Sequence, residues 1–218
     1  AQDHKRISDG DMGANTGGMG AYAPAPVMTK ELDKIVYDTI LMPAVKAMKK
    51  EGCPFKGCLY AGLMITKDGP KVVEFNCRFG DPETEAVLPL LESDLAKIML
   101  ACTKGTLKKE KVEWKNACAV DVVLASEGYP ATHSSGEEIV GLEEAKKTGC
   151  LVFHAGSMKK KGRYFVNGGR VLNVAAVAPT LKEARDKAYE GVSKISWRGM
   201  QYRHDIADKG LKRLKKRK

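Results

Sequence analysis

The sequence is poor in aromatic residues and has no long apolar run. Only 6% of its 218 residues are Phe, Trp or Tyr. No stretch approaches the roughly 20 apolar residues that a membrane-spanning helix needs, and the first residues are charged rather than an apolar targeting core. These absences predict a soluble protein that is neither exported nor bound to a membrane. Because 43% of the residues are hydrophobic, the chain can still bury the core of one large domain or two small ones.

Paired cysteines are also lacking. The six cysteines include no Cys-x-x-Cys pair, and the four histidines do not cluster near them. Zinc sites and disulfide frameworks usually show such spacing. The sequence therefore predicts reduced thiols and a cytoplasmic location.

Positive charge is concentrated at the C-terminal end. The net charge is +10, and seven basic residues with no acidic one lie in 209–218, which leaves +3 for the rest. Such a run can bind nucleic acid, but terminal charge runs are more often solvated, and no aromatic stacking platform accompanies this one. We predict a basic tail at 209–218 and keep a nucleic-acid-binding or scaffolding module as the alternative function.

A glycine-rich segment lies within residues 1–28. Its glycines would let the backbone approach a ligand closely, and Asp11, Asn15 and Thr16 supply polar side chains for a small carboxylate or a phosphate. The segment has neither a G-x-G-x-x-G frame after a strand nor a P-loop lysine. It predicts a long loop, and a flexible connector is an equally consistent interpretation.

The apolar patterns along the rest of the chain predict an α+β protein in two units. The first unit has a helix from Thr29 that is kinked at Pro43, a hairpin of strands over 57–66 and 71–77, and a helix from Asp81 to near Gly105. The second unit has strands over 118–126, 150–154, 163–167 and 170–177, and a helix that opens with a capping box at Thr180.

The strand over 71–77 carries the clearest chemical pattern. Side chains alternate in a strand, so Glu74, Asn76 and Arg78 share one face, and the apolar residues between them, Cys77 included, belong to the core. A carboxylate and an amide oxygen suit Mg²⁺, and an arginine beside them can clamp a phosphate. An edge strand with a polar solvent face would show the same alternation.

The turn after this strand could add to an anion site. Asp81 precedes Pro82, which is typical of an N-cap followed by proline at the first helical position. The free N–H groups of a helix start can bind an anion. Asp81 is therefore a candidate substrate residue, with a purely capping role as the alternative.

Three motifs follow one another along the chain: Gln2-Asp3-His4-Lys5-Arg6, Asn15-Thr16-Gly17-Gly18-Met19-Gly20-Ala21-Tyr22 and Glu74-Phe75-Asn76-Cys77-Arg78-Phe79-Gly80-Asp81-Pro82-Glu83. In this order they resemble the phosphoribosylamine–glycine ligase family, also called glycinamide ribonucleotide synthetases, of the ATP-grasp superfamily. Further matches at 128–130, 153–156, 167–171 and 202–206 extend the resemblance over nearly the whole chain.

The resemblance implies the C-terminal lobe of an ATP-grasp domain over 1–112, a small C-terminal α+β domain over 113–208, and the basic tail. It also implies that the N-terminal half of the enzyme precedes Ala1, that the chain alone is inactive, and that further purine-pathway domains can be fused downstream. The implied reaction joins glycine to 5-phosphoribosylamine with ATP, giving glycinamide ribonucleotide, ADP and phosphate through glycyl phosphate, a step of purine biosynthesis.

The resemblance also implies roles for individual residues. Glu74 and Asn76 would hold Mg²⁺ (or Mn²⁺) against the ATP phosphates, and Arg78 with Lys5 would stabilise charge on the transferred phosphoryl group. The substrate-side residues would be Asp11, Asn15, Thr16, Gly17, Gly18 and Asp81.

Overall fold

The computed structural model describes residues 1–216. The strands are β1 (Gln2–Asp3), β2 (Arg6–Ser8), β3 (Met12–Asn15), β4 (Gly20–Ala23), β5 (Tyr60–Thr66), β6 (Gly69–Asn76), β7 (Cys118–Ala125), β8 (Ser135–Ile139), β9 (Leu151–His154), β10 (Ser157–Lys160), β11 (Arg163–Asn167) and β12 (Arg170–Ala178). The α-helices are α1 (Lys30–Val36), α2 (Met42–Lys50), α3 (Glu83–Val87), α4 (Leu95–Lys104), α5 (Leu142–Lys147), α6 (Leu181–Val192) and α7 (Asp208–Lys215). This content confirms the predicted α+β class.

The chain forms two compact units that interleave along the sequence. The first unit contains residues 1–25, 81–90 and 115–216, and the second contains 26–80 and 91–114. The predicted boundary at residue 112 follows family domains and stays a prediction. The compact units differ from it because the N-terminal strands pair with strands that lie about a hundred residues later.

The first unit is built on a five-stranded antiparallel sheet with the order β1-β4-β7-β12-β9. Strands β7 and β12 are rich in valine and alanine and are largely buried, as expected for central strands. Helix α6 packs on both of them. Its predicted capping box is confirmed, because the Thr180 side chain accepts from the N–H of Glu183 and the Glu183 side chain accepts from the N–H of Thr180.

The prediction of one long loop at the N-terminus is wrong. The segment contains four short strands, and β4 is buried, with Tyr22 opposite Val120 of β7. Strands β2 and β3 form a separate antiparallel pair in which Arg6 lies opposite Asn15. The local sequence could not show these strands because they are short and β4 pairs with a distant partner.

The second unit contains α1, α2, α4 and the β5–β6 hairpin. The Thr29 side chain caps α1 by accepting from the N–H of Leu32. The helix that was predicted to kink at Pro43 is instead interrupted by a π turn over Tyr37–Leu41, and Pro43 lies in the first turn of α2. The predicted hairpin is confirmed, with Lys67 and Asp68 in its turn.

The single helix predicted from Asp81 to near Gly105 is two helices. Helix α3 ends at Val87, and α4 begins anew with Asp94, whose side chain accepts from the N–H of Lys97. The chain passes from the first unit to the second between these helices. Helix α3 begins at Glu83 with Pro82 as its N-cap, so the predicted N-cap at Asp81 with Pro82 as the first helical residue is wrong.

The predicted basic tail is helical over α7. Gly210 of α7 lies so close to Leu181 and Tyr22 that an added Cβ would come within 2.8 Å of each side chain. Arg217 and Lys218, also assigned to the tail, lie outside the described residues. Within residues 1–216, none of the helices combines the length and the apolar character needed to cross a membrane.

Candidate functional site

Strand β6 presents the predicted metal ligands on its polar face. The amide nitrogen of Asn76 donates to Oε1 of Glu74 over 3.0 Å, which turns the two side chains toward each other. The amide oxygen of Asn76 and the second carboxylate oxygen of Glu74 are then available as hard oxygen donors. Gly62 of β5 lies opposite Glu74, and a Cβ there would come within 3.0 Å of the Glu74 side chain. Sequence reasoning missed this glycine, whose small size makes room for the carboxylate.

The donor set fits a magnesium ion that takes its other ligands from water and phosphates. Mg²⁺ is usually held by one or two protein carboxylates together with phosphates and water rather than by an all-protein cage. Residues 1–216 contain no group of three or more His, Cys, Asp and Glu side chains arranged to hold a metal. Arg78 follows the strand and is exposed, and it donates to the carbonyl oxygen of Phe79 over 3.0 Å.

The apolar face of β6 is not a core. Val73 and Phe75 are 68% and 46% exposed, and Cys77 is also exposed. The prediction that Cys77 is a core residue is therefore wrong. The hairpin has only two strands, so alternation gave the correct faces but could not show whether a layer covers each face.

The predicted substrate loop is fixed by hydrogen bonds within the first unit. The Thr16 hydroxyl donates to the carbonyl oxygen of Lys5 over 2.9 Å and accepts from the N–H of Gly18 over 2.9 Å. The hydroxyl of Tyr129 accepts from the N–H of Gly17 over 2.9 Å. Both glycine N–H groups are thus used inside the protein, and the glycines serve close packing rather than an open anion nest.

Contacts around these two glycines explain why larger residues would not fit. A Cβ at Gly17 would lie 2.9 Å from the guanidinium carbon of Arg170. Gly18 has φ +126°, and a Cβ there would lie 2.3 Å from Pro82 and 2.7 Å from the carboxylate of Asp3. Gly18 therefore needs glycine for both its backbone conformation and its contacts.

Lys5 and Asp3 form an ion pair beside the loop. The Nζ atom of Lys5 lies 2.5 Å from Oδ2 of Asp3 and 3.4 Å from the carbonyl oxygen of Gly17. Burial raises the pKa of Asp3 to about 6, against the opposing effect of Lys5. Lys5 itself is half exposed and can still reach an anionic ligand.

Asp81 is paired with Arg170, a residue that sequence reasoning missed. A terminal guanidinium nitrogen of Arg170 lies 2.9 Å from Oδ1 of Asp81, and it donates to the Asp81 carbonyl oxygen over 3.0 Å. The same nitrogen lies 3.5 Å from the carbonyl oxygen of Gly18. The motif at 167–171 was the only available signal, because the partners lie 89 and 152 residues away.

The structure brings five of the predicted site residues of the first unit together and leaves Asn15 and Asp11 outside that group. Lys5, Thr16, Gly17, Gly18 and Asp81 are joined through the contacts of the loop and Arg170. Asn15 is exposed on β3, and Asp11 is engaged by Arg203 and Lys209 instead of pointing into open space. Glu74, Asn76 and Arg78 belong to the second unit.

Comparisons with known proteins identify relatives for both parts of the chain. Residues 1–84 match the family model "Phosphoribosylglycinamide synthetase, ATP-grasp (A) domain", and residues 119–209 match the C domain of the same synthetase. The chain is 52% identical over 212 residues to the trifunctional purine biosynthetic protein adenosine-3 of Gallus gallus, covering 97% of this chain and 21% of that protein. It is 51% identical to the chloroplastic phosphoribosylamine–glycine ligase of Arabidopsis thaliana, covering 97% of this chain and 41% of that protein.

A solved structure agrees with these matches. The crystal structure of phosphoribosylamine–glycine ligase from Thermotoga maritima superposes with a TM-score of 0.80 at 41% identity, covering 94% of this chain and 50% of that one. The chain therefore spans half or less of the length of these three relatives.

Proposed function

Because the chain belongs to the phosphoribosylglycinamide synthetase family, we propose that the full-length protein ligates glycine to 5-phosphoribosylamine with ATP. The products are glycinamide ribonucleotide, ADP and phosphate, as a step of purine biosynthesis. The observation that carries the proposal is the match of two domains of one synthetase, in order, along this chain.

The proposed chemistry needs charge neutralisation and positioning rather than a protein nucleophile. A carboxylate oxygen of glycine attacks the γ-phosphorus of ATP, and ADP leaves. The amine nitrogen of phosphoribosylamine then attacks the acyl carbon of glycyl phosphate and loses a proton, and phosphate leaves with that carboxylate oxygen. Both steps concentrate negative charge on phosphoryl oxygens, so fixed cations and oriented donors lower their barriers.

The residues of this chain divide the work by their chemistry. Glu74 and Asn76 would hold Mg²⁺ (or Mn²⁺), which neutralises phosphate charge when it is bound. Arg78, exposed just beyond the strand, and Lys5, half exposed beside Asp3, would stabilise charge on the transferred phosphoryl group.

The loop of the first unit would contact glycine or phosphoribosylamine. Asn15 and Thr16 offer polar side chains at its end, while Gly17 and Gly18 permit the close packing that fixes its path. Asp81 would act together with Arg170, since the two are paired.

We also propose a cytoplasmic location and, as the main partner, the N-terminal half of the same synthetase. The relative from Gallus gallus is named as a trifunctional protein, so fusion to further purine-pathway domains is a second arrangement to examine in the sequence that flanks this chain.

The test is an omission assay on the full-length protein. ADP release is measured with ATP, glycine and phosphoribosylamine, and then with each one left out in turn. We expect release to require both glycine and phosphoribosylamine, and glycinamide ribonucleotide to form in equal amount. Release that proceeds equally well with another amino acid in place of glycine would refute the substrate assignment.

A further inference from the structure

Arg203 is a fully buried cation whose partners come from both ends of the chain. Its Nε and one terminal nitrogen donate to the two oxygens of Asp205, each over 2.7 Å. Its other terminal nitrogen donates to Oδ1 of Asp11 and to the carbonyl oxygen of Arg6, each over 3.1 Å. The side chain itself is 0% exposed. A buried guanidinium is tolerated only when its donors are paired. The positions of Asp205, Asp11 and Arg6 relative to Arg203 therefore have to be kept closely.

The partners of Arg203 hold the turn Asp9–Asp11 at further points. The N–H of Gly10 donates to Oδ2 of Asp205 over 2.9 Å. The N–H of His204 donates to Asp9 over 2.7 Å. Lys209 of α7 pairs with the second oxygen of Asp11. The C-terminal segment 203–209 therefore contacts each residue of this turn.

The turn has a backbone conformation that needs such support. Asp11 has φ +58°, which is uncommon for a residue with a side chain, and Gly10 before it has φ +68°. Hydrogen bonds from Lys209 and Arg203 outweigh the effect of burial and lower the pKa of Asp11, so its carboxylate stays charged for both cations.

The contacts continue from the turn to the proposed substrate loop. The carbonyl oxygen of Arg6 that accepts from Arg203 belongs to β2, and Arg6 lies opposite Asn15 in the β2–β3 pair. The carbonyl oxygen of the preceding residue, Lys5, accepts from the N–H of Thr16 at 2.7 Å. Moving Arg203 would therefore shift the strand on which Asn15 and Thr16 are aligned.

We propose that Arg203 is a positioning residue for residues 9–18, the segment that contains the predicted substrate residues Asn15, Thr16, Gly17 and Gly18. It acts through Asp11, Asp205 and Arg6 without touching substrate. This inference deepens the proposed function and rests on it. It also assigns Asp11, a candidate substrate residue by sequence, a supporting role, because both of its carboxylate oxygens are engaged by cations of the protein.

The test uses Arg203→Lys in the full-length protein, with Arg198→Lys as the matched control. Lysine keeps the charge but cannot reproduce the planar fork that pairs with both oxygens of Asp205. Arg198 lies five residues before Arg203, its side chain is 86% exposed, and its guanidinium lies 3.8 Å from Glu137. Steady-state kinetics are measured separately for glycine, phosphoribosylamine and ATP.

A positioning role predicts a selective kinetic defect. For Arg203→Lys, kcat/KM for glycine or phosphoribosylamine should fall on the order of tenfold, while KM for ATP stays within about twofold of wild type. Arg198→Lys should behave as wild type. Unchanged kinetics in Arg203→Lys would overturn the proposal. So would a fall in kcat that tracks the folded fraction while every KM is unchanged, because that is the signature of a purely structural residue.

Asp11→Asn supplies an independent variant in case Arg203→Lys does not fold. It leaves the paired contacts of Arg203 with Asp205 intact and weakens the links of Asp11 to Arg203 and to Lys209. The same selective defect is expected in Asp11→Asn, and the double variant should be no worse than about twofold beyond the poorer single one. Fully multiplicative defects would overturn the proposal, because they would mean that the two residues act by separate routes.

Hydrogen exchange separates this inference from the proposed function. The amide of Gly10 should exchange faster in Arg203→Lys than in Arg198→Lys, and that result does not depend on activity. If wild-type protein shows no glycine-dependent ADP release, the proposed function fails. The exchange result still tests whether Arg203 and its partners hold the turn Asp9–Asp11. Equal exchange in the two variants would overturn the positioning role.

Discussion

Asp3 and His4 are neighbours in the chain, both have buried side chains, and burial shifts their pKa values in opposite directions. Burial raises the pKa of Asp3 to about 6, although Lys5 opposes the shift. Burial lowers the pKa of His4 to about 4, and the positive charge of Arg203 acts in the same direction. His4 is 1% exposed, and its Nδ1 atom lies 3.2 Å from the carbonyl oxygen of Gly20. The neutral form of each residue is therefore easier to populate in the folded protein than in the unfolded chain.

The two shifts have opposite effects on the pH dependence of stability. The Asp3 pKa is higher in the folded than in the unfolded state, so its contribution is present below about pH 4 and is lost as the pH rises to about 6. The His4 pKa is lower in the folded state, so its contribution is present above about pH 6.5 and is lost as the pH falls to about 4. Between about pH 4 and 6.5, the pH dependences of the two contributions to stability therefore largely cancel.

Replacing either Asp3 or His4 should reveal the pH dependence of stability that the other residue causes. For Asp3→Asn, the free energy of unfolding should rise with pH between 4 and 6.5 relative to wild type, by up to roughly 3 kcal/mol for a shift of about two pKa units. His4→Gln should show the opposite slope. Urea unfolding across this pH range measures both, with His133→Gln at an exposed position as control. Equal slopes in Asp3→Asn and His4→Gln would contradict this explanation.

At the scale of elements, strand β6 gives the sharpest prediction about the metal. Glu74 provides the only charged oxygen donor of the Glu74 and Asn76 pair, whereas Asn76 is a neutral ligand that water can partly replace. Glu74→Gln should therefore lower turnover more than Asn76→Ala, by a further factor of about ten, or about 1.4 kcal/mol of barrier.

The measurement is ADP release by the full-length protein at saturating glycine across a Mg²⁺ titration. Both variants should fold, since Glu74 is exposed, and circular dichroism checks this. Lys71→Gln, an exposed change on the same strand, should match wild type. If Glu74→Gln and Asn76→Ala keep wild-type turnover and Mg²⁺ dependence, the metal is held elsewhere.

The contacts of helix α7 favour a structural role for the C-terminal segment over a solvated basic tail. Gly210 packs against Tyr22 and Leu181, and Lys209 pairs with Asp11, so removal of residues 209–218 should lower the free energy of unfolding by about 2 kcal/mol or more. Replacing the exposed residues Lys212 and Lys215 together by glutamine should change it by less than about 0.5 kcal/mol.

Urea unfolding of both variants beside wild type measures the difference. A truncated protein as stable as wild type would mean that the helix contributes nothing to the first unit. Salt-dependent binding of DNA that the glutamine variant loses, with stability unchanged, would favour the alternative function of a nucleic-acid-binding module.

Local signals predicted the elements that depend on local chemistry. The capping box at Thr180 and the hairpin of β5 and β6 were correct because a few neighbouring residues determine each one. The split between α3 and α4 and the buried strand β4 were missed, since both depend on which unit a segment joins. The same reason explains the missed partners Arg170 and Arg203, whose contacts with Asp81 and Arg6 span 89 and 197 residues.

At the scale of the whole molecule, family resemblance gave more than any pattern in the residues. Alternation in β6 identified a polar face, but an edge strand with a solvent face has the same pattern, and only the ordered motifs favoured a metal and nucleotide site. The compact units could not be read from the sequence, because segments 1–25 and 81–90 join residues beyond 115. The proposed roles of individual site residues stay predictions until they are tested in the full-length protein.

The central claim is that the full-length protein activates the carboxylate of glycine by phosphorylation. Glycine labelled with ¹⁸O in both carboxylate oxygens tests it most directly, because one labelled oxygen should leave with phosphate when the amine displaces it. Mass spectrometry of the products should find one ¹⁸O in each phosphate and one in each glycinamide ribonucleotide. Unlabelled phosphate accompanying doubly labelled, unconsumed glycine would show that ATP is hydrolysed by water and would contradict the claim.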